Sequence, residues 1–352
     1  MLSTQRMHKR NQQIYFAWTG FQRRQVSMAE HCGFETIFLP VERRAGRFKK
    51  ILTYLGHGWQ TLTTLVRSRP NVVWVQLPQV PLMWVAIIYR SLFHRDAIVI
   101  ADCHNAMFRP PWSRVPFGIS MLSRCDIVLT HNADIMDTAI QLGVDRARLM
   151  VVEDPPARFP WTGHFCKAAD MPRPWFVFPA SFAMDEPIAE LLDAAGMTPE
   201  ISVLITGNIR NCRDPELIDI APANVRFLGF LSREDFEALV LDCDAVIAFT
   251  RFDGIQLSVC GEAVGAGKPM LISDTQTLRK MFPIGTVFVD SSDPIAISAG
   301  FRRVLLANDE LVKEIQDFSQ ALTSRWIATR GNPILQKIGL LANLENCREI
   351  SR

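Results

Sequence analysis

Two short stretches of the 352-residue chain gather side chains able to hold sugars, phosphates or protons. The first, Asp102-Cys103-His104-Asn105, follows the apolar run 97–101 directly. A carboxylate, an imidazole and an amide placed together can bind hydroxyls or move a proton. A nucleophilic pair of Cys103 and His104 is disfavoured, because adjacent residues at a strand end point in different directions. The second stretch is the loop from Thr250 to Ser258, with Glu262 about one helical turn further on. Asp253 and Gly254 favour a tight turn, Ile255 and Leu257 continue the loop, and Gln256 and Ser258 offer side-chain hydrogen bonds. Glu262 can accept from the two hydroxyls of a ribose, or it can simply favour the start of a helix.

Both stretches need strands to position them. From Asp244 to Asp274 the chain reads as a buried strand at 245–249, the polar loop, a helix of small residues at 259–266 ending at Gly267, and a strand at 269–273. In such a βαβ unit a ligand sits beyond the carboxyl end of the strand, against the amides that open the next helix. The same beat recurs along the chain. Strands are expected at 13–18, 35–39, 71–77, 97–101, 125–130 and 149–152, then again at 175–179, 201–206, 225–228 and 285–290. Helices are expected at 46–67, 81–93, 132–142 with Asn132 as cap, 294–307 and after Asp309. Arg23 and Arg24 fall near the carboxyl end of the first strand, where a planar guanidinium suits a phosphate, or where the start of a helix lies exposed.

Length points to two domains, since a single core seldom grows this large. Prolines and turn formers over 153–174 separate the halves, so the expectation is α/β, with two Rossmann-like domains at 1–160 and 175–330 and a linker at 161–174. Gly331-Asn332-Pro333 then breaks the chain before a final helix at 331–352. No Gly-x-Gly-x-x-Gly follows the first strand, which weakens a nicotinamide-dependent dehydrogenase. The opening ten residues, with Arg6, Lys9 and Arg10, read as a polar tail, and the run Val80 to Ile88 is far short of a membrane span. The eight cysteines lack metal-ligand spacing and read as reduced thiols of a cytoplasmic protein, with no metal site.

The net charge of +2 hides an asymmetry. Residues 1–160 carry 20 Lys and Arg against 11 Asp and Glu, whereas 161–352 carry 18 against 25. Arg23, Arg24, Arg43, Arg44, Arg47, Lys49 and Lys50 concentrate the excess in the first fifty residues. Such a patch suits an anionic membrane, a phosphorylated acceptor or a nucleic acid, and is equally compatible with plain solvated surface. The loop holding Phe108, Pro110, Pro111, Trp112, Pro116 and Phe117 can cover a site, touch lipid or pack on its own domain.

The run of acid, glycine, polar loop, Glu262-Ala263, small-residue turn and Gly267-Lys268-Pro269 resembles the donor site of the GT-B glycosyltransferases of the retaining family-4 type. The resemblance implies two Rossmann-like domains facing across a cleft, with the terminal helix crossing back. It implies transfer of a sugar from a nucleotide-sugar donor to a glycan or lipid-linked hydroxyl, in glycan or polysaccharide synthesis, with neither a metal nor another cofactor. Glu262 matches the family's ribose-binding glutamate. The partner glutamate's place falls on Gly254, one residue from Asp253, so the sugar and phosphates are assigned to Asp253, Gly254, Ile255, Gln256, Leu257 and Ser258. Asn208 and Gly229, at turns after strands, are implied neighbours of the nucleotide. The loop Ala180 to Pro187 lacks the arginine and lysine that family members place there, which leaves the diphosphate charge to Arg210, Arg251 or Lys268 and to helix amides.

Asp102, His104 and Glu262 are then the candidate catalytic groups, with Arg23, Arg24 and Asn105 on the acceptor side. The implied location is cytoplasmic, peripheral at the inner membrane face, with no nucleic acid as partner. The shifted Asp253 and the absent basic pair also suit a non-catalytic GT-B-like subunit that binds a nucleotide or a partner transferase.

Overall fold

The computed structural model describes residues 12–41, 46–160, 163–165, 167–255 and 257–339. Arg6, Lys9, Arg10, Arg43, Arg44, Gln256 and the end of the terminal helix past 339 therefore lie outside the described residues. The chain forms two compact units, one reaching to Pro155 and resuming at Ser324, the other spanning Pro156–Thr323.

In the first unit the order is β1 (Gln13–Ala17), α1 (Arg23–Cys32), β2 (Glu35–Phe38), α2 (Arg47–Ser68), β3 (Val72–Leu77), α3 (Val80–Leu92), β4 (Ile98–Cys103), β5 (Ile127–Thr130), α4 (Ala133–Gln141) and β6 (Leu149–Val151). Every residue of β3, VVWVQL, is buried, as a parallel sheet covered on both faces requires. Alternation then divides the strands. Phe16, Val73, Val75 and Ala101 share one core with Leu65, Leu82 and Met83, while Tyr15, Trp74 and Ile100 share the other with Met28 and Cys32. Asp102 thus belongs to the face of Ile100. Helix α1 stops at Gly33, which turns left-handed at φ 73, and α4 starts at Asn132, whose side chain accepts from the Ile135 amide at 2.8 Å.

The second unit runs β7 (Trp175–Pro179), α5 (Ile188–Gly196), β8 (Ser202–Thr206), α6 (Glu216–Asp219), β9 (Val225–Gly229), α7 (Arg233–Asp242), β10 (Ala245–Ala248), α8 (Ser258–Ala266), β11 (Met270–Ser273), α9 (Gln276–Met281), β12 (Thr286–Val289), α10 (Pro294–Leu306) and α11 (Asn308–Trp326). Among the described residues the strands make two parallel six-stranded sheets, ordered β2-β1-β3-β4-β5-β6 and β12-β11-β10-β7-β8-β9. Each order reverses once, between β1 and β3 in the first sheet and between β7 and β10 in the second. Connections leave these two strand pairs in opposite directions and open a crevice at their carboxyl ends.

Two sequence expectations change. The described part of the segment read as a linker at 161–174 packs as part of the second unit: Phe165, Ala168 and Met171 are buried in a core with Trp175. The chain also presses closely on α8, where a Cβ on Gly265 would stand 2.2 Å from the Ala157 carbonyl oxygen. Secondly, Gly331-Asn332-Pro333 does not break the helix. A π turn over Ile327–Gly331 joins α11 to α12 (Asn332–Lys337), and its shifted hydrogen-bond register lets the chain pass Pro333, which has no N–H to give. This return completes the first unit. Trp326 Nε1 donates to the Glu153 carbonyl at 2.8 Å, Arg330 pairs with Glu153, and Ile334, Leu335 and Ile338 are buried with Tyr15 and Trp74.

Candidate functional site

In the first unit a polar network occupies the carboxyl ends of β1, β3, β4 and β5. Asp102 is fully buried and accepts from Arg24 Nε at 3.0 Å, from Arg24 Nη2 at 3.0 Å and from the Tyr15 hydroxyl at 2.7 Å. Gln25 Nε2 donates to the Tyr15 oxygen at 3.1 Å, and Arg24 also reaches Asp154. Burial penalises the Asp102 charge, yet the guanidinium of Arg24 and the ring of His131 hold its carboxyl well below the usual carboxylate range. Burial and the Asp102 charge together push the Tyr15 phenol well above its usual value. Asp102 is therefore an anion with no solvent contact. It positions neighbours and is out of reach of a substrate.

Its partly buried neighbours are two imidazoles. His131 Nε2 lies 3.6 Å from Asp102 Oδ1, and its ring centroid is 4.5 Å from that of His104. Gln76, buried in β3, donates from Nε2 to Gln22 at 2.5 Å and contacts His104 Nε2 at 2.9 Å. With the Gln76 amide as donor, His104 Nε2 accepts and the ring proton sits on Nδ1. Burial lowers the His104 pKa to about 4, so the ring is neutral at ordinary pH. Asn105 is exposed beside it.

Arg24 departs from expectation. It is committed to Asp102 and Asp154 in the interior and is not available to a phosphate, while Arg23 stacks over Phe21 at 5.0 Å. In the loop after β4, Phe108 is buried and Trp112 packs on the core, leaving Phe117 exposed. That loop mostly packs on its own unit.

In the second unit the loops after β7 and β10 meet at the crevice and are stitched together. Thr250 Oγ1 donates to Asp185 at 2.7 Å, the Arg251 amide donates to the Asp185 carbonyl at 2.8 Å, and Arg251 Nη2 binds Glu190 at 2.7 Å. Gly207 lets β8 end against this junction: at φ 124, a Cβ there would stand 2.0 Å from the Ala180 carbonyl oxygen. Helix α8 starts at this rim with no side chain among the described residues capping it and no acid in its first turn, so its amides and dipole favour an anion. Glu262 follows on the same helix, partly exposed.

Asn208 Oδ1 accepts from the Arg210 amide at 3.2 Å, which places an exposed Arg210 just past β8, and Gly229 ends β9 with φ 71. Asp253 is already occupied. It accepts from the amides of Gly254 at 2.8 Å and Thr277 at 3.0 Å, and Thr277 holds its carboxyl below the usual range. The acid thus clips the loop carrying Ile255 and Leu257 onto α9. Lys268 lies elsewhere: it precedes β11 and stands at the amino-end rim of the sheet, away from the crevice. With Arg251 paired to Glu190, Arg210 is the cation of the three at the crevice that forms no ion pair among the described residues.

Three further residues belong to these clusters. His131 repeats the pattern of His104, since Cys103-His104-Asn105 and Thr130-His131-Asn132 each set a His-Asn pair after a buried strand. Gln76 is an amide inside an otherwise apolar run. Glu186 places its carboxylate on the amides of Ser181, at 3.0 Å, and Phe182, at 2.8 Å, and on the Ser181 hydroxyl at 2.7 Å. Phe182 turns left-handed there, at φ 58, to aim its amide inward. The helix-opening pattern Asp185-Glu186-Pro187 in the sequence masked this role.

Solved structures of the same architecture exist at low identity. Anabaena HepE, crystallised with UDP and glucose, is 12% identical over 94% of this chain and 100% of its own, with a TM-score of 0.58. Sucrose-phosphate synthase from Thermosynechococcus elongatus is 14% identical over 94% and 100%, with a TM-score of 0.60. This is the GT-B fold. A UDP-N-acetylglucosamine 2-epimerase also shares it, at 13% identity over 88% of this chain and 91% of its own, with a TM-score of 0.52, so the fold by itself leaves the reaction open. No family model matches the sequence, and no curated protein does either.

Proposed function

We propose that the protein transfers a sugar, a hexose, from a nucleotide-sugar donor to a hydroxyl of a glycan or lipid-linked acceptor. The observation that carries this reading is the crevice of the second unit, where an uncapped helix N-terminus stands beside Glu262, on a fold in which Anabaena HepE was crystallised with UDP and with UDP-glucose. Glu262 accepts from the ribose hydroxyls. The amides of α8 and Arg210 offset the diphosphate charge, with no required metal. Asn208 and Gly229 border the base, and the clipped loop borders the sugar.

The acceptor is assigned to the first unit, with His104 and His131 binding hydroxyls and Asp102 orienting His131. The bond from the anomeric carbon to the diphosphate oxygen breaks and one to the acceptor oxygen forms. The loop's likeness to the retaining type supports attack on the face of departure, with the acceptor proton passing to the leaving phosphate oxygen. A product of opposite anomeric configuration would instead assign that proton to His131.

A non-catalytic, nucleotide-binding or partner-binding subunit is the second reading. Glu186 fills the amides after β7, and Asp253 is spent on α9, which favours it. Thermal unfolding with UDP, GDP, ADP and CMP, with and without Mg²⁺, tests the donor site. A nucleotide at a hundred times its dissociation constant adds about 2.7 kcal/mol, and Glu262→Ala is expected to remove most of that gain. No stabilisation by any nucleotide would overturn the transferase reading. Binding without turnover of the matching nucleotide-sugar would favour the subunit.

A further inference from the structure

Helix α2 carries apolar side chains that no described residue of its own unit covers. Phe48, Ile51, Leu52, Leu55 and Trp59 are 75%, 56%, 53%, 67% and 71% exposed. At about 100° per residue these five fall within an arc of about 100°, and Val66, also exposed, continues it. The inner side of the helix is already spoken for. Thr61 accepts from Trp18 Nε1 at 3.1 Å, Tyr54 stacks on Trp18, and Leu65 is fully buried. Leu62, in the same arc, packs half-buried on that core, so the exposed face adjoins the core face along one edge of a helix of 22 residues.

Charge says what covers it. The helix reads RFKKILTYLGHGWQTLTTLVRS, with Arg47, Lys49, Lys50 and Arg67 and no acid. Lys49 and Arg67 fall on the flank of the apolar stripe by the same helical count. An apolar stripe with Phe, Leu and Trp, flanked only by cations, matches a bilayer surface whose headgroups are anionic. A second copy of the chain matches it poorly, because a two-fold contact would set these cations against their own copies. No helix among the described residues is long and apolar enough to cross a membrane, so α2 would lie in the surface and not span it. Its first turn follows β2 and so stands at the carboxyl-end rim, the rim of His104 and His131.

We propose that α2 is a membrane-docking helix, inserting Phe48, Ile51, Leu52, Leu55 and Trp59 among the lipids of an anionic bilayer with Lys49 and Arg67 at the headgroups. The inference rests on the first unit alone and stands whether or not the second unit binds a nucleotide-sugar.

Co-sedimentation of the full chain with vesicles of phosphatidylcholine, alone or with one part in three phosphatidylglycerol, tests it. The expected result is binding to the anionic vesicles, at least tenfold weaker on phosphatidylcholine alone. Leu55→Glu with Trp59→Glu should lower binding by tenfold or more while leaving the melting temperature unchanged. Lys49→Gln with Arg67→Gln should lower it by roughly 25-fold at low salt, at about fivefold for each cation. Absence of binding to either vesicle overturns the proposal, as does binding indifferent to the Leu55 and Trp59 changes. A concentration-dependent dimer dispersed by those same changes would show the face to be covered by a second copy, which also overturns it.

Discussion

Replacing Asp102 by Ala should trap a cation in the interior of the first unit. The carboxylate is fully buried and the Arg24 side chain is 3% exposed, so the guanidinium cannot turn to water without opening α1. The change removes two acceptors from Arg24 and one from the Tyr15 hydroxyl, leaving the guanidinium with Asp154 and the phenol with Gln25. Removing one partner of a buried ion pair costs about 3–5 kcal/mol, and the weakened phenol hydrogen bonding adds to it. We expect a loss of about 4 kcal/mol, a large share of the ~5–15 kcal/mol that holds a domain.

Urea unfolding followed by tryptophan fluorescence reads it, since six of the eight tryptophans belong to the first unit. Asp102→Leu combined with Arg24→Met should recover most of the loss, because no buried charge is then left unpaired and Asp154, 56% exposed, stays solvated. The folded carboxyl titrates below its unfolded value of about 3.9, so the pair's contribution is complete above that pH and is lost only as the solution is acidified past it. A loss below about 1 kcal/mol for Asp102→Ala would refute the reasoning, since it would mean that Arg24 finds solvent.

Two further perturbations separate packing from titration. Gly207→Ala places a methyl group 2.0 Å from the Ala180 oxygen at a φ of 124, and should cost about 2 kcal/mol or more, read by calorimetry of the second unit's transition. His104 is held neutral, its pKa lowered to about 4, whereas the unfolded ring titrates near 6.5. Below about 6.5 the unfolded chain binds the proton first, so stability should fall by up to about 3 kcal/mol between pH 6.5 and pH 4. His104→Gln should flatten that part of the stability profile, and an unchanged slope would remove His104 as its cause.

The two six-stranded sheets were legible in the sequence because parallel strands buried on both faces must be runs such as VVWVQL and AVIA, and because caps such as Asn132 and Gly33 are local. The residues at strand ends were legible for the same reason. Asp102 and His104 lie at or just past the end of a strand that periodicity locates, and Glu262 lies on the helix that follows one. What those groups are free to do was not legible. Arg24 and Asp102 are 78 residues apart in sequence, and only the strand order brings them together and removes both from water. Asp253 looked available until α9 supplied the amide of Thr277, and Glu186 looked like an ordinary helix opener until the loop after β7 folded back on it.

Lys268 followed the motif in sequence yet stands at the far rim, because a helix of nine residues carries the chain the length of the sheet. The outer stripe of α2 has the spacing of a core-facing helix, and its exposure depends on which face Trp18 and Leu65 claim. Local pattern fixes elements, since their hydrogen bonds join near neighbours. Burial and pairing join residues far apart in the chain, and those the tertiary structure alone decides.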